Sequence, residues 1–495
     1  MYYLGLDIGS SSIKVALVEI ANGKQVGVVQ EPESEMDIIA LKNGWAEQDP
    51  KDWWRHVCAG IKNIKAKFNI HQDQIKGIGI AYQMHGLVLL DKQGKPVRNA
   101  IIWCDSRAVE IGRKAYATIG EENCKSRLLN SPANFTASKL KWVQENEADL
   151  YSRAHKLMLP GDYIAYCFSR IMNTTISGLS EGILWDFKED SVANLLLEHY
   201  GIPNSFIPDI VDTFSLQCTV DEQGALESGL AKGTPILYRA GDQPNNALSL
   251  NVFNPGEVAA TGGTSGVVYA VTDSLSGKES TRVNNFAHVN YNKSTARIGK
   301  LLNINGAGIQ YRWLLNNLEV GSYEEMNALA KEIPVGSDGV CLIPFGNGAE
   351  RMLNNRDIGS RLLNINLNNH HKGHICRAAL EGVAFSFAYG MEILRSDGIE
   401  IQTMRAGNDN LFRSEIFSNT LASLVDQEIE IYDTTGAIGA ARAAGIYEGG
   451  FEKFSTYITN NDHIHTFKPS KEKASYVKAF NIWKEELEMS INSKK

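Results

Sequence analysis

The feature that most constrains this chain is one pattern met twice. At the N terminus, "YYLGLDIGSSSIKVALVEI" runs from an apolar arm through a polar turn into a second apolar arm. Past the midpoint, "GEVAATGGTSGVVYAVTD" does the same: residues 258–260 enter "TGGTSG" and residues 267–272 leave it. Arms rich in Ile, Val and Leu around a Gly/Ser/Thr turn read as paired strands. The same hairpin in two halves points to two related domains facing one another. With 495 residues the chain exceeds one ordinary core, so two units are expected, 1–247 and 248–495.

Between the hairpins the pattern mixes strands and helices, as an α/β layer does. "QDPKDWWRHVCAGIKNI" predicts a helix capped by Asp49, with Pro50 in its first turn and Trp54, Val57, Ile61 and Ile64 on its buried face. "IKGIGIA" predicts a strand ending at "YQMHG". Residues 103–209 read as an insertion that decorates the core and shapes a pocket. Helices are expected there at "TASKLKWVQEN" and "LPGDYIAYCFSR", and a turn plus strand at "SGLSEGILWDF". In the second half, "ICRAALEGVAFSFAYGMEIL" predicts a long helix, with Ile375, Ala379, Val383 and Phe387 on one face. "TTGAIGAARAAGIYEG" predicts a helix whose small residues allow close packing.

A net charge of -8 argues against general nucleic-acid or anionic-membrane binding. No run reaches 18 apolar residues and no basic leader precedes one, so neither a membrane span nor export is expected, and a cytoplasmic location is. Seven scattered cysteines without a C-x-x-C pair fit reduced thiols. His370, His371 and His374 in "NNHHKGH" read as a solvated loop before a helix rather than a metal site.

The chemistry gathers at the turns. Successive backbone N–H groups in a Gly/Ser/Thr turn form a concave anion site, and hydroxyls add donors. Ser10 and Ser11 in "DIGSSS", and Thr261, Gly262, Gly263, Thr264 and Ser265 in "TGGTSG", fit phosphate. Either turn alone is as well explained as a hairpin; two facing across a cleft could hold the ends of a triphosphate. Asp7 beside the first would then need a hard cation such as Mg²⁺ between it and the phosphate. "GDQPNNALSL" carries a lone acid, Asp242, which suits either a turn cap or a base that accepts a hydroxyl proton. Gln243 and Asn246 suit a polyhydroxylated ligand. His85, beside Met84, is read either as a structural residue or as a hydroxyl ligand, and Trp103 as packing or as a stacking surface. Asp105 and Arg107 could pair at the mouth or bind substrate. "RAGNDN" and "TTGAIGAA" offer glycine turns that could lie against a nucleoside or simply pack.

Taken in order, "GLDIGSSSIKV", "GWAEQDPKDWW", "GIGIAYQMHGLVLLD", "IIWCDSR", "GDQPNNA", "TGGTSG", "IPFGNGAER" and "TTGAIGAARAA" resemble the FGGY family of carbohydrate kinases, with "MHG" most like its xylulokinase members. The resemblance covers roughly residues 3 to 450. It implies two actin-like (ribonuclease H-like) α/β domains flanking a deep catalytic cleft. It further implies ATP, Mg²⁺ and phosphoryl transfer to a sugar hydroxyl, with D-xylulose the expected acceptor. On this resemblance Asp242 is the catalytic base. Met84, His85, Trp103, Asp242 and Gln243 bind sugar, while Asp7 and Asp242 serve the metal. Gly407, Asn408, Asn410 and Gly436 fall where the family holds the nucleoside, and the analogy extends to a homodimer. Three departures stand out: Asp242-Gln243 where xylulokinases have Asp-Asn, Ala406-Gly407-Asn408 for a glycine triplet, and "AERML" for "GERTP". The alternatives are kinase action on L-ribulose, L-xylulose, L-fuculose or glycerol, and a nonenzymatic sugar sensor in the same cleft.

Overall fold

The computed structural model describes residues 1–409 and 411–493. Each of the two hairpins lies at the centre of its own mixed sheet. In the first sheet Tyr2–Ile8 pairs antiparallel with Ile13–Glu19, which pairs with Gln25–Glu31. On its other side Tyr2–Ile8 runs parallel to Ile75–Tyr82, then come Pro235–Gly241, parallel, and Phe214–Thr219, antiparallel. The second sheet repeats this order. Glu257–Gly262 pairs antiparallel with Gly266–Thr272, which pairs with Ile298–Ile304, and an extra edge strand, Asn284–Ala287, follows. On the other side lie Thr403–Gly407 and Ile429–Tyr432, both parallel, and His463–Phe467, antiparallel. Three antiparallel strands, two parallel ones and an antiparallel edge recur in both halves, so the echo between the two turns is an echo of whole domains.

The predicted helices form largely where their patterns place them. Pro50–Phe68 is capped by Asp49, which accepts the Lys51 N–H at 2.9 Å. Its buried face is Trp53, Val57, Ile61 and Ile64; Trp54 lies one position off it and is only half-buried. Lys372–Ser396 spans the second core, capped by His371, whose Nδ1 accepts the Gly373 N–H at 3.2 Å. His374 bonds Asp338 at 3.2 Å, and His370 Nδ1 accepts the Asn366 N–H at 3.0 Å, so all three neighbouring histidines have structural partners. All seven cysteines are free thiols. Among the described residues no helix is long and apolar enough to cross a membrane.

The region 103–209 departs from expectation in two ways. It is not all decoration: Pro160–Ser169 buries Tyr163, Ile164, Ala165 and Phe168 in the first core, against strands Ile75–Tyr82 and Pro235–Gly241. Its "SGLSE" is a helix, Ile176–Glu181, not a turn; Thr175 caps it by accepting the Gly178 N–H at 3.0 Å, and only Trp185–Asp186 beyond it is extended. A Thr cap outweighed the local Gly/Ser composition. Asp105 and Arg107 form a buried ion pair at 2.7 Å; Arg107 also reaches Glu47 at 2.7 Å and stacks on Trp45. The pair braces the segment below Trp103.

The two halves are joined by more than the chain. Helix Gly436–Ala444 follows a strand of the second sheet yet packs on five strands of the first. Its Ala437, Ile438, Ala441 and Ala444 form a shared core with Tyr3, Ala16, Val18 and Leu237. The approach is close because the facing strand positions are glycine. A Cβ on Gly5 would fall on the Ala437 carbonyl, and one on Gly79 on the Ala440 carbonyl. Arg442, on the same helix, is buried and paired with Asp462.

Candidate active site

Tyr2–Ile8, Ile75–Tyr82 and Pro235–Gly241 are neighbours and parallel, so their carboxyl ends open on one side. In register, Asp7 faces Ala81, and Gly241 faces Tyr82. The residues that follow are therefore brought together: the "GSSS" turn, Gln83 to His85, and Asp242. A cleft of about 270 Å³ opens here, lined by Asp7, Ser10, Ser11, Gln83, Trp103 and Asp242, with Lys14 on its wall. Trp103 is 51% exposed and forms the lip, its Nε1–H donating to Ser10 Oγ at 3.3 Å. Gln83, which sequence reasoning passed over within "YQMHG", keeps a buried Oε1 with no hydrogen-bond partner in the same cleft.

Asp242 is the first residue of helix Asp242–Ser249; Gly241 occupies the cap position. The acid is thus not a turn cap. Burial, and then the neighbouring Asp7, push its carboxyl up to about 7, while N–H groups of Asp242 and Gln243 and the Gln243 side chain act the other way. Burial also raises Asp7, which Lys14 partly offsets. Two half-buried carboxylates that disfavour each other's charge are a donor set for a hard cation. Among the described residues no three His, Cys, Asp or Glu side chains cluster as metal ligands, so a cation held here would draw its other ligands from phosphate and water. Gly436 stands against one of the two acids, Asp7: a Cβ on it would lie 2.6 Å from Asp7 Oδ2 and 3.2 Å from Asn246 Oδ1. Asn245 Nδ2 donates to its carbonyl at 2.9 Å. Its surroundings are Asp7 and the amides of the helix that Asp242 opens.

Met84 is buried against Gly241, directly before Asp242. The His85 ring packs against Phe135 and Phe286, at centroid distances of 4.8 and 5.3 Å. Burial and then the Lys139 ammonium lower its pKa to about 3, so the ring is neutral. Its Nδ1 lies 2.9 Å from the Glu181 carbonyl oxygen. A carbonyl only accepts, so Nδ1 carries the proton and Nε2 is left as the acceptor nitrogen. A neutral imidazole so arranged can take the hydrogen of a hydroxyl.

The second turn has its own supports. Gly262 pairs with Gly266, leaving 263–265 at the tip. The Gly262 N–H donates to Asp409 Oδ2 at 2.8 Å, and the Thr264 carbonyl accepts the Ile309 N–H at 2.9 Å. Gly407 and Asn408 lead into Asp409, so "AGN" abuts this second turn; Asn410 lies outside the described residues. Beside Gly263 and Thr264 opens a larger pocket, about 470 Å³, walled by Gly308, Tyr311, Tyr323 and Arg413 among others. Tyr311 and Tyr323 stack at 5.5 Å. Sequence reasoning missed this wall, because helices Gly308–Asn317 and Tyr323–Lys331 carry no motif that marks it. One cavity thus has acids, amides and an aromatic lip; the other has a glycine turn and an aromatic wall.

The model of the FGGY family of carbohydrate kinases matches both halves, its N-terminal domain over residues 2–249 and its C-terminal domain over 258–447. Xylulose kinase of Bacillus subtilis is 26% identical over 462 residues, covering 91% of this chain and 89% of that one. The L-xylulose/3-keto-L-gulonate kinase of Escherichia coli is 27% identical over 471 residues, covering 92% and 90%. The crystal structure of xylulose kinase from Rhodospirillum rubrum superposes with a TM-score of 0.87 at 23% identity, covering 98% of each chain, and bears out the two-domain fold. Family model, duplicated actin-like fold and cleft agree: this chain belongs to the FGGY family of carbohydrate kinases, phosphotransferases that use ATP on small ketoses and polyols.

Proposed function

We propose that this kinase transfers the terminal phosphoryl group of ATP to D-xylulose, giving D-xylulose 5-phosphate. The observation that carries the reading is the meeting of Asp242 with Asp7, Gln83 and Trp103 at the ends of three parallel strands, with Met84 packed beneath. Trp103 offers a face to the carbon-bound hydrogens of a sugar, and Gln83, His85 Nε2 and Gln243 offer hydrogen bonds to its hydroxyls. Asp242 takes the proton of the attacking hydroxyl as its oxygen bonds to phosphorus and the bond from phosphorus to the ADP oxygen breaks. N–H groups of the two turns, around Ser10 and Ser11 and from Thr261 to Ser265, hold phosphate oxygens. Asp7 and Asp242 would hold Mg²⁺, which when bound neutralises phosphate charge. The nucleoside is assigned to the pocket by Tyr311 and Tyr323, near Gly407 and Asn408; Gly436 serves instead by letting backbone approach Asp7. The assignment of residues 1–247 to sugar and 248–495 to nucleotide is part of this reading. So is a homodimer, which light scattering of the purified chain would test.

L-xylulose is the second reading, supported by the 27% identical relative whose name carries that sugar. ADP release measured across D-xylulose, L-xylulose, L-ribulose, L-fuculose and glycerol separates them by kcat/KM. D-xylulose is expected to lead; a clear preference for any other acceptor overturns the assignment. Asp242→Asn should abolish transfer, by at least about 100-fold, while ATP still binds. Near-normal transfer would remove Asp242 from the role of base.

A further inference from the structure

His85 occupies a backbone conformation that its own chemistry does not favour. Its φ is +62°, in the left-handed region that a residue with a Cβ seldom enters. Two residues far away in sequence hold it there. The Glu181 carboxyl accepts the His85 N–H through Oε2 at 3.2 Å, and the Glu181 carbonyl accepts the ring Nδ1–H at 2.9 Å. From the other side the Lys139 ammonium donates to the His85 carbonyl at 2.8 Å. The amide, the carbonyl and the ring of one residue are thus all engaged by Glu181 and Lys139.

Neither partner stops at His85. Lys139 Nζ also donates to the Ile102 carbonyl at 3.0 Å, immediately before Trp103. Glu181 Oε2 lies 3.2 Å from where a Cβ on Gly241 would stand, immediately before Asp242. Both side chains are buried, at 0% and 1% exposure, and desolvation acts on each in the direction expected: the ammonium is lowered to about 8 and the carboxyl is raised. Charged groups are costly to bury, and a purely apolar filling would serve packing better. The hydrogen bonds of the pair end on two separate parts of the acceptor cleft, His85 and the residue before Trp103, and that gives them a different use.

We infer that Lys139 and Glu181 are a positioning pair for the acceptor site: together they set the His85 backbone and ring, and Lys139 ties them to the segment that carries Trp103. The inference rests on the reading of His85 as a sugar ligand. It locates the determinants of acceptor geometry in residues that need not touch the sugar, on the helices Thr136–Asn146 and Ile176–Glu181 that surround the cleft.

The test uses the full-length enzyme with D-xylulose and ATP as the varied substrates. His85→Ala comes first and should raise the KM for the sugar. Glu181→Ala and Lys139→Met should then lower kcat/KM for the sugar by roughly 10- to 100-fold, as misplacement of a binding group does, with the KM for ATP unchanged. Glu181→Gln, which keeps an oxygen for the His85 N–H, should recover most of the loss. In the His85→Ala background, Glu181→Ala should add no further loss, because its effect passes through the ring already removed. If His85→Ala leaves the sugar KM unchanged, the reading of His85 fails. If His85→Ala raises it but Glu181→Ala and Lys139→Met only lower the melting temperature, or add independently to His85→Ala, the positioning pair is overturned. Glu181→Ser serves as the loss variant if Glu181→Ala does not fold.

Discussion

Burial decides what the ionisable side chains of this chain can do. Asp242, Glu350 and Asp409 are pushed up to about 7, 7 and 6 chiefly by desolvation, so each binds its proton more tightly folded than unfolded. His288 goes the other way. It is fully buried, bonded to the Val252 carbonyl at 2.9 Å and to the Tyr269 hydroxyl at 3.1 Å, and burial lowers it to about 4. Its depressed value means the unfolded chain takes up this proton first. Its contribution to stability is therefore complete above the unfolded value near 6.5 and is lost as pH falls from there toward about 4, at up to ~1.4 kcal/mol per pH unit. The raised carboxyls stabilise over part of the same range, so wild type alone will not show this slope. The difference between wild type and His288→Gln will: melting temperatures should converge as pH drops from 7 to 5. Parallel curves would mean His288 is not held neutral. At this scale Asp7 and Asp242 were legible because their chemistry is local, each an acid at the carboxyl end of an apolar strand. Glu181 and Lys139 were not, since their meaning comes from meeting His85 across 96 and 54 residues of chain.

Elements were legible where one face alone decides the pattern. "TASKLKWVQEN" coincides with the helix Thr136–Asn146, and the long apolar stripe around Val383 marks Lys372–Ser396. The misread "SGLSE" shows the converse: glycine and serine suggest a turn, but a threonine cap and burial on all sides make a helix. The small-residue helix Gly436–Ala444 is the element whose composition most directly states its packing. Alanines on the helix meet Gly5 and Gly79 on the strands, and no room is left for a methyl group on either. Gly79→Ala, which would drive a Cβ into the Ala440 carbonyl, should destabilise the protein by about 1–3 kcal/mol, the usual cost of overpacking. A lower urea midpoint is the readout. An unchanged midpoint would mean that the helix does not hold the two sheets together as closely as its residues suggest.

At the scale of the molecule the duplicated sheets pose a geometric problem that the hairpin echo could not reveal. The cleft with Asp7 and Asp242 and the pocket with Gly263, Thr264, Tyr311 and Tyr323 are walled by separate sets of residues. Phosphoryl transfer needs the acceptor oxygen about 3–3.5 Å from the phosphorus it attacks. On the proposed assignment of nucleoside and sugar, a bound triphosphate spans the two cavities, and closure around it is the means by which such enzymes exclude water. The fold limits where that motion can pivot. Helix Gly436–Ala444 is seated in the first sheet yet covalently continuous with the strand Ile429–Tyr432 of the second, so the sheets can rotate about it more readily than they can slide. Small-angle scattering should therefore show a smaller radius of gyration with D-xylulose and a nonhydrolysable ATP analogue together than with either alone. Asp242→Asn should contract in the same way, because closure follows from binding and the base acts afterwards. Scattering that is identical in all ligand states would place both cavities already within reaction distance and leave the pivot without a function.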